Sequence, residues 1–287
     1  MSIIIPSTYN YIAVFLTFAC NLKCSYCINA HSSINRKRKL LSGDDWVTHL
    51  SRIVTRPDLP ITFGGGEPTL HPDFYYIVKE LHRKNIPMDL LTNCQFDISE
   101  FAYQLSPSVF NRDAPYASIR VSYHPETMDM YELIDKVHIL SQNNYHIGIW
   151  AVNHPKWQEE INRCWALCNT LRIDFRLKEF LGIYEGRIYG TYKYPNACFN
   201  AVPGLGKKVV CKTSELIIGP NGNVYGCHAD LYHNEYDHYG HITDENFIIH
   251  DDYVVCNKFG YCNPCDIKLK FNRFQKEGHC SVSIKEI

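Results

Sequence analysis

Short apolar runs separated by stretches of helical period set the plan of this chain. Six runs read as strands, at residues 11–18, 59–63, 88–92, 117–123, 147–152 and 171–177. They are rich in Ile, Val, Leu and aromatics without strict alternation, as strands buried on both faces of a parallel sheet are. Between them, apolar residues recur every three or four positions. Trp46, Val47, Leu50, Ile53 and Val54 share one face behind a capping box of Ser42 and Asp45. Phe74, Ile77, Val78 and Leu81 form a second stripe, with Pro72 suited to the first turn. Met130, Leu133, Ile134 and Val137 form a third, between Met128 and Asn143. Pro155 opens the last, where Ile161, Cys164, Trp165 and Cys168 are spaced for one buried face, so these two cysteines read as core rather than ligands. Alternating strand and helix units imply right-handed crossovers and a parallel sheet. In such folds the chemistry gathers at the C-terminal ends of the strands.

Composition narrows the class. At 287 residues the chain holds one large domain, or one domain and an appendage, and its 45% hydrophobic and 21% charged residues argue against disorder. A net charge of −1 gives no electrostatic case for nucleic acid or membrane. The one basic run, Arg36-Lys37-Arg38-Lys39, reads as a solvated loop, with a clamp for a phosphate or acidic peptide as the alternative. No run is long enough to span a bilayer and no signal peptide is recognisable, so a soluble cytoplasmic protein is expected. Without an export signal, thirteen cysteines point to iron or zinc rather than to disulfides.

Three cysteines stand directly after the first strand, as Cys20-x3-Cys24-x2-Cys27. Three thiolates hold three irons of a cubane, whereas full protein ligation of a [4Fe-4S] cluster takes four, so one iron is left open to a ligand. A zinc site, with His31 as the nearby candidate for its fourth ligand, is the alternative, as are buried small thiols. Zinc does not account for Gly64-Gly65-Gly66 after the second strand, where glycines permit φ > 0 and close backbone approach to a ligand. The cysteine spacing, the aromatic Tyr26 before its last cysteine and the segment Gly64-Gly65-Gly66-Glu67-Pro68 together resemble the radical S-adenosylmethionine (SAM) superfamily.

That resemblance implies a partial (β/α)6 TIM-like barrel over residues 1–180, a connector over 181–210 and a small cysteine-rich domain over 211–287. It implies SAM and a [4Fe-4S] cluster on Cys20, Cys24 and Cys27, with an electron donor such as flavodoxin or ferredoxin as partner. Gly64, Gly65 and Gly66 would bind the ammonium of the SAM methionine, with backbone groups and Glu67 as acceptors. Tyr26 would lie near the adenine. Asn93 and Ser122 would contact its ribose or carboxylate, unless they merely cap turns. The implied reaction is release of a 5′-deoxyadenosyl radical that abstracts hydrogen from an unactivated C–H bond, the protein supplying orientation and exclusion of side reactions.

From Cys211 the alternation stops and turn signals accumulate. Cys211, Gly222 and Cys227 stand as C-x10-G-x4-C, with Pro220-Asn221-Gly222-Asn223 a two-residue hairpin signal between Leu216-Ile217-Ile218 and Val224-Tyr225. Cys256, Cys262 and Cys265 follow. The pattern resembles the auxiliary-cluster extensions called SPASM and Twitch. Six cysteines from Cys211 to Cys280 are too few for two fully ligated cubanes, so one auxiliary [4Fe-4S] cluster is expected, on Cys211, Cys227, Cys262 and Cys265, with Cys256 as a substitute. A structural zinc on the same residues is the alternative. A fully ligated cluster lacks an open iron, which favours electron transfer from an oxidised substrate radical.

The substrate is read less directly. Only 19 residues precede Cys20, too few for a leader-peptide recognition domain, so a small carbohydrate-like alcohol is the expectation and a ribosomally made peptide the alternative. Cys94, at the barrel mouth, is a candidate to return a hydrogen atom to a substrate radical, or a small buried residue. Lys178 and Glu179 would bind a polar substrate, deprotonate an alcohol or form an ordinary ion pair. The tyrosines of Tyr184–Tyr194 would line the active site or pack as a connector. A zinc protein without catalysis is the remaining reading.

Overall fold

The structure is a computed structural model and describes residues 1–29, 39–199, 208–233, 239–270 and 279–287. His31 and the basic run as far as Arg38 lie outside the described residues. Six parallel strands lie side by side in chain order: β1 (Tyr11–Thr17), β2 (Ile61–Gly65), β3 (Met88–Thr92), β4 (Ile119–Tyr123), β5 (Ile147–Asn153) and β6 (Asp174–Glu179). Helices α1 (Gly43–Leu50), α2 (Phe74–Arg83), α3 (Ile98–Gln104), α4 (Met130–Gln142) and α5 (Gln158–Leu171) connect them. This is the α/β partial barrel that the alternation implies. On β4 the pleat is plain: Ile119, Val121 and Tyr123 are buried in the main core, whereas Arg120 and Ser122 alternate with them and are only half-buried.

The local expectations held where one residue pattern controls one element. Ser42 caps α1 by accepting from the Asp45 N–H, and the Asp45 side chain accepts from Ser42 in return. The buried faces of α2 and α4 are the expected stripes. Three details differ. Ile53–Val54 do not continue α1 but pair in parallel with Ile3–Ile4, leaving Val54 half exposed. Trp165 is 51% exposed while Ile161, Cys164 and Cys168 are buried, because the face toward the sheet is narrower than the apolar stripe. The sixth strand starts at Asp174, not 171, since α5 runs to Leu171 and turns out through Arg172 at φ 56°.

Downstream, the chain extends the same sheet. Strand β7 (Val209–Thr213) leads into β8 (Glu215–Ile218), which pairs in parallel with the free edge of β1, Glu215 opposite Tyr11 and Ile218 opposite Val14. Strands β9 (Asn223–Tyr225) and β10 (Gly240–His241) continue it antiparallel. The β8–β9 hairpin forms where the sequence signals it, but the Gly219 N–H donates to the Asn223 carbonyl and the loop holds three residues, with Gly222 at φ 87°. After α6 (His228–His233), β11 (Val254–Cys256) and, beyond the one-turn α7 (Pro264–Ile267), β12 (Val282–Glu286) flank β7 in a separate antiparallel sheet. No helix among the described residues is long and apolar enough to cross a membrane.

A buried ion pair ties the end of this segment to β8, the strand by which it joins the barrel sheet. Glu215, 2% exposed, accepts from Lys270 Nζ at 2.6 Å and from Ser281 Oγ at 2.8 Å. Burial pushes its carboxyl up, but Lys270 and then His228 outweigh burial and hold it below its usual range. Removing one partner strands the other charge, so Lys270→Met is expected to destabilise the protein by about 3–5 kcal/mol near neutral pH. The folded carboxyl titrates below the unfolded one, so its stabilisation is complete above about pH 4.3 and is lost as pH falls. Denaturant titrations at two pH values check both the size of the loss and its shrinkage in acid.

Candidate active site

The cysteine loop follows β1 and is strapped from three sides. Its base packs on the glycines after β2. The N–H groups of Gly66 and Glu67 donate to the carbonyls of Thr17 (2.9 Å) and Ala19 (2.7 Å). A Cβ on Gly66 would lie 2.1 Å from the Ala19 carbonyl oxygen, and Gly65, at φ 129°, would bring one within 2.3 Å of that of Thr17. These two glycines therefore exist to seat the loop that carries Cys20. Gly64, by contrast, has space around it and lines the cavity. From β3, Asn93 Nδ2 donates to Asn21 Oδ1 at 2.7 Å and lies 3.9 Å from Cys20 Sγ. From the turn after β4, Glu126 accepts the Ser25 N–H at 2.7 Å, Thr127 Oγ1 meets Cys24 Sγ at 3.6 Å, and His124 Nδ1 meets the Tyr26 hydroxyl at 3.1 Å. Glu126 and Thr127 escaped sequence reading, because they act only through contacts about a hundred residues away.

Cys20, Cys24 and Cys27 are all free thiols and all line one cavity of about 420 Å³. Tyr26, Gly64, Gly65, Gly66, Asn93 and Ser122 line it as well. Three free thiols at one mouth match a cluster bound through three irons. The Gly66 and Glu67 N–H groups are consumed in this seat, and the Gly65 carbonyl accepts from Asn29 Nδ2, so these polar groups of the glycine segment are already paired. Burial pushes the Cys20 and Cys24 thiols above their usual range, so metal binding there must displace protons.

Two expected site residues are elsewhere. Glu67 is 1% exposed and does not line the cavity. Its Oε1 accepts from Thr69 N, Thr69 Oγ1 and Thr92 Oγ1, and its Oε2 accepts from Asn93 N at 2.7 Å. It is a bracket between the ends of β2 and β3, not an acceptor for SAM. Glu67→Ala leaves Thr92 and Asn93 with unmet buried donors, and at about 1–3 kcal/mol for each the expected loss is about 2–5 kcal/mol in denaturant unfolding. Cys94 likewise leaves the mouth. Its N–H donates to Thr92 Oγ1, its φ is 57°, and its side chain is fully buried in the main core, where burial pushes the thiol up to about 12. A thiol so placed touches no substrate, and the hydrogen-donor assignment is corrected to a core residue.

Lys178 and Glu179 both line the cavity but do not pair with each other, since neighbours on a strand face opposite ways. Glu179 accepts from Thr191 Oγ1 at 2.8 Å and stands 3.8 Å from Lys268 Nζ. Through α6 and α7 the C-terminal segment brings His228, Tyr232, Cys265, Lys268 and Lys270 to the same cavity. Phe15, Phe18, His228 and Tyr232 form an aromatic layer, with ring centroids 5.7–6.4 Å apart, along this wall.

The other thiols divide differently from their spacing. Cys256, opposite Val209 on β7, lies on the same face as Cys211, and this neighbouring thiol, ahead of burial, raises Cys211. Cys262 and Cys227 are the next thiols to act on Cys211. Cys262 in turn feels Cys256 and Cys198, after burial and Asp266. Cys265 belongs to a different neighbourhood: after burial, the groups acting on it are Lys270, Asp266, Lys268 and Glu215. Cys280 is buried, its thiol donating to the Ile267 carbonyl. Among the described residues no three of His, Cys, Asp or Glu converge on a single-ion site. Cubane ligands bind different irons and need not converge in that way.

Residues 14–153 match the family model of the Radical SAM superfamily. The chain carries a radical SAM domain. It is 29% identical over 108 residues to the PqqA peptide cyclase of Bradyrhizobium diazoefficiens, covering 38% of this chain and 27% of that protein. It is 28% identical over 156 residues to the 7-carboxy-7-deazaguanine synthase of Bacteroides thetaiotaomicron, covering 51% of this chain and 81% of that enzyme. The match thus spans only about a quarter of the cyclase. Among solved structures, anSMEcpe with bound AdoMet and a Kp18Cys peptide superposes with a TM-score of 0.55 at 16% identity, covering 82% of this chain and 78% of that one, a likeness of fold. SAM and a [4Fe-4S] cluster are the cofactors of that family, and Cys20, Cys24 and Cys27 are the residues that would hold the cluster.

Proposed function

We propose that this radical SAM enzyme modifies a peptide, with an auxiliary cluster on Cys211, Cys227, Cys256 and Cys262. The shape of the site carries the reading. The main cavity shares Tyr26, Ile28, Leu181 and Tyr232 with a second one of about 250 Å³ that reaches Gly182, Tyr261 and Pro264. An extended segment fits along the two, whereas a single sugar fills part of the first. The PqqA peptide cyclase, by its name, acts on a peptide, which supports the same choice. The carbohydrate-like substrate expected from the short N-terminus draws no support from these relatives. A small-molecule substrate is the second reading, favoured by the match along most of 7-carboxy-7-deazaguanine synthase.

When bound, SAM and the cluster on Cys20, Cys24 and Cys27 supply the hydrogen-abstracting radical. The chain's part is placement. Glu67 holds Asn93, Asn93 holds the cysteine loop, and the Phe15, Phe18 and Tyr232 wall keeps water from the reacting carbon. The auxiliary thiols would hold an oxidised iron-sulfur cluster, which would accept the electron released when the substrate radical is oxidised.

The test uses the anaerobically reconstituted protein with SAM, dithionite and a synthetic peptide for each short reading frame found beside its gene, with a panel of small polar molecules in parallel. The expected result is a rise of at least about tenfold in 5′-deoxyadenosine formation and a change in peptide mass, the size of a modest transition-state preference. Stimulation by small polar molecules and none by the peptide would overturn the reading.

A further inference from the structure

Positive charge inside the main cavity exceeds the negative charge that faces it. Lys178, on β6 opposite Val152 of β5, has no hydrogen-bond or ion-pair partner among the described residues. Its neighbours do not supply one. Lys270 is taken by Glu215, and the nearest carboxylate of Lys268 is Glu179, at 3.8 Å and on the exposed rim. Arg120 gives Nη2 to Asp89 at 3.1 Å, while its Nε is buried without a partner. Asp89 is already held by both nitrogens of an Arg112 fork.

We propose that Lys178, with Lys268 beside it, binds a carboxylate of the substrate and so fixes the residue that is to react. An amine turned into a water-poor cavity without an acceptor is costly, and an anion that enters removes that cost. Burial, and then the charges of Arg120 and Lys268, push this amine down to about 8, the direction expected of a cation that no carboxylate of the described residues faces. The inference rests on the peptide reading and narrows it: the peptide offers an acidic side chain or its C-terminal carboxylate within reach of β6.

Equilibrium dialysis of the reconstituted holoprotein against labelled glutarate, with neutral glutaramide as competitor, tests the grip without any peptide. The same samples are dialysed against SAM, which carries a carboxylate of its own. Glutarate is expected to bind, resist glutaramide, and bind roughly tenfold to hundredfold more weakly in Lys178→Met, the range of one charge-assisted hydrogen bond. SAM affinity is expected to stay within about twofold, far below that range. The proposal is overturned if the wild-type protein ignores glutarate, if Lys178→Met binds it equally well, or if SAM affinity falls with glutarate affinity, which would assign the amine to the cofactor. Iron content and a Lys178→Gln variant of matching behaviour exclude misfolding as the cause. Glutarate binding as expected in a protein that turns over no peptide would defeat the peptide reading and leave the anion site standing.

Discussion

Changing Cys20, Cys24 and Cys27 together to Ala takes the iron of the anaerobically reconstituted protein from about eight to about four per chain and ends 5′-deoxyadenosine formation. All three thiols line the mouth of one cavity, their loop is pinned by Asn93, Glu126 and Thr127, and the glycine segment beneath it would clash with any side chain at residues 65 and 66. Thr127 holds the loop through the Cys24 sulfur, but the Asn93–Asn21 and Glu126–Ser25 bonds involve no sulfur, so the variant is expected to keep its fold and to fail in cluster binding. The remaining irons would belong to the proposed auxiliary thiols, on β7, immediately before α6, on β11 and in the loop before α7. Iron that falls from about four to none would leave the C-terminal thiols holding zinc or nothing. The oxidative step would then lack an acceptor.

The elements legible in the sequence were those whose signal is local. Strand β3 was placed to the residue, and the capping box of α1 and the stripes of α2 and α4 were read correctly, because each depends on a periodicity within a dozen residues. Helix α3 escaped because only Phe101 of Ile98–Gln104 is buried, which leaves no stripe to detect. Cys94 and Glu67 were misplaced for a shared reason. Both follow strands, where site residues are expected, yet each turns inward: Cys94 through a left-handed residue held by Thr92, Glu67 by bonding across to β3. Direction of that kind is set by a neighbouring strand, and spacing along one strand does not contain it. Lys178 shows the converse. Its position at the end of β6 was enough to bring it to the cavity, but the absence of a counter-ion emerges only once α7 and the residues after it have folded against the barrel.

That same long-range folding decides the second cluster. Cys256→Ala is expected to lower total iron from about eight to about four, whereas Cys265→Ala keeps about eight. From spacing, Cys262-x2-Cys265 reads as a ligand pair. In the fold, Cys262 precedes the single turn of α7 and Cys265 lies within it, where Asn263 Oδ1 accepts its N–H and its thiol joins Lys268 and Lys270 at the cavity. Cys256 comes instead from β11, whose register with β7 sets it diagonally across from Cys211 on the same face. A thiol on the same sheet face as one ligand is better placed than one that lines the cavity. Cys198, whose charge acts on Cys262, is a further candidate, so the double variant Cys198→Ala, Cys256→Ala removes that substitution. If Cys265→Ala loses the iron and Cys256→Ala keeps it, α7 rotates on metal binding and the ligand set implied by spacing stands. If both keep about eight, neither thiol is required, and Cys198 takes the fourth position beside Cys211, Cys227 and Cys262.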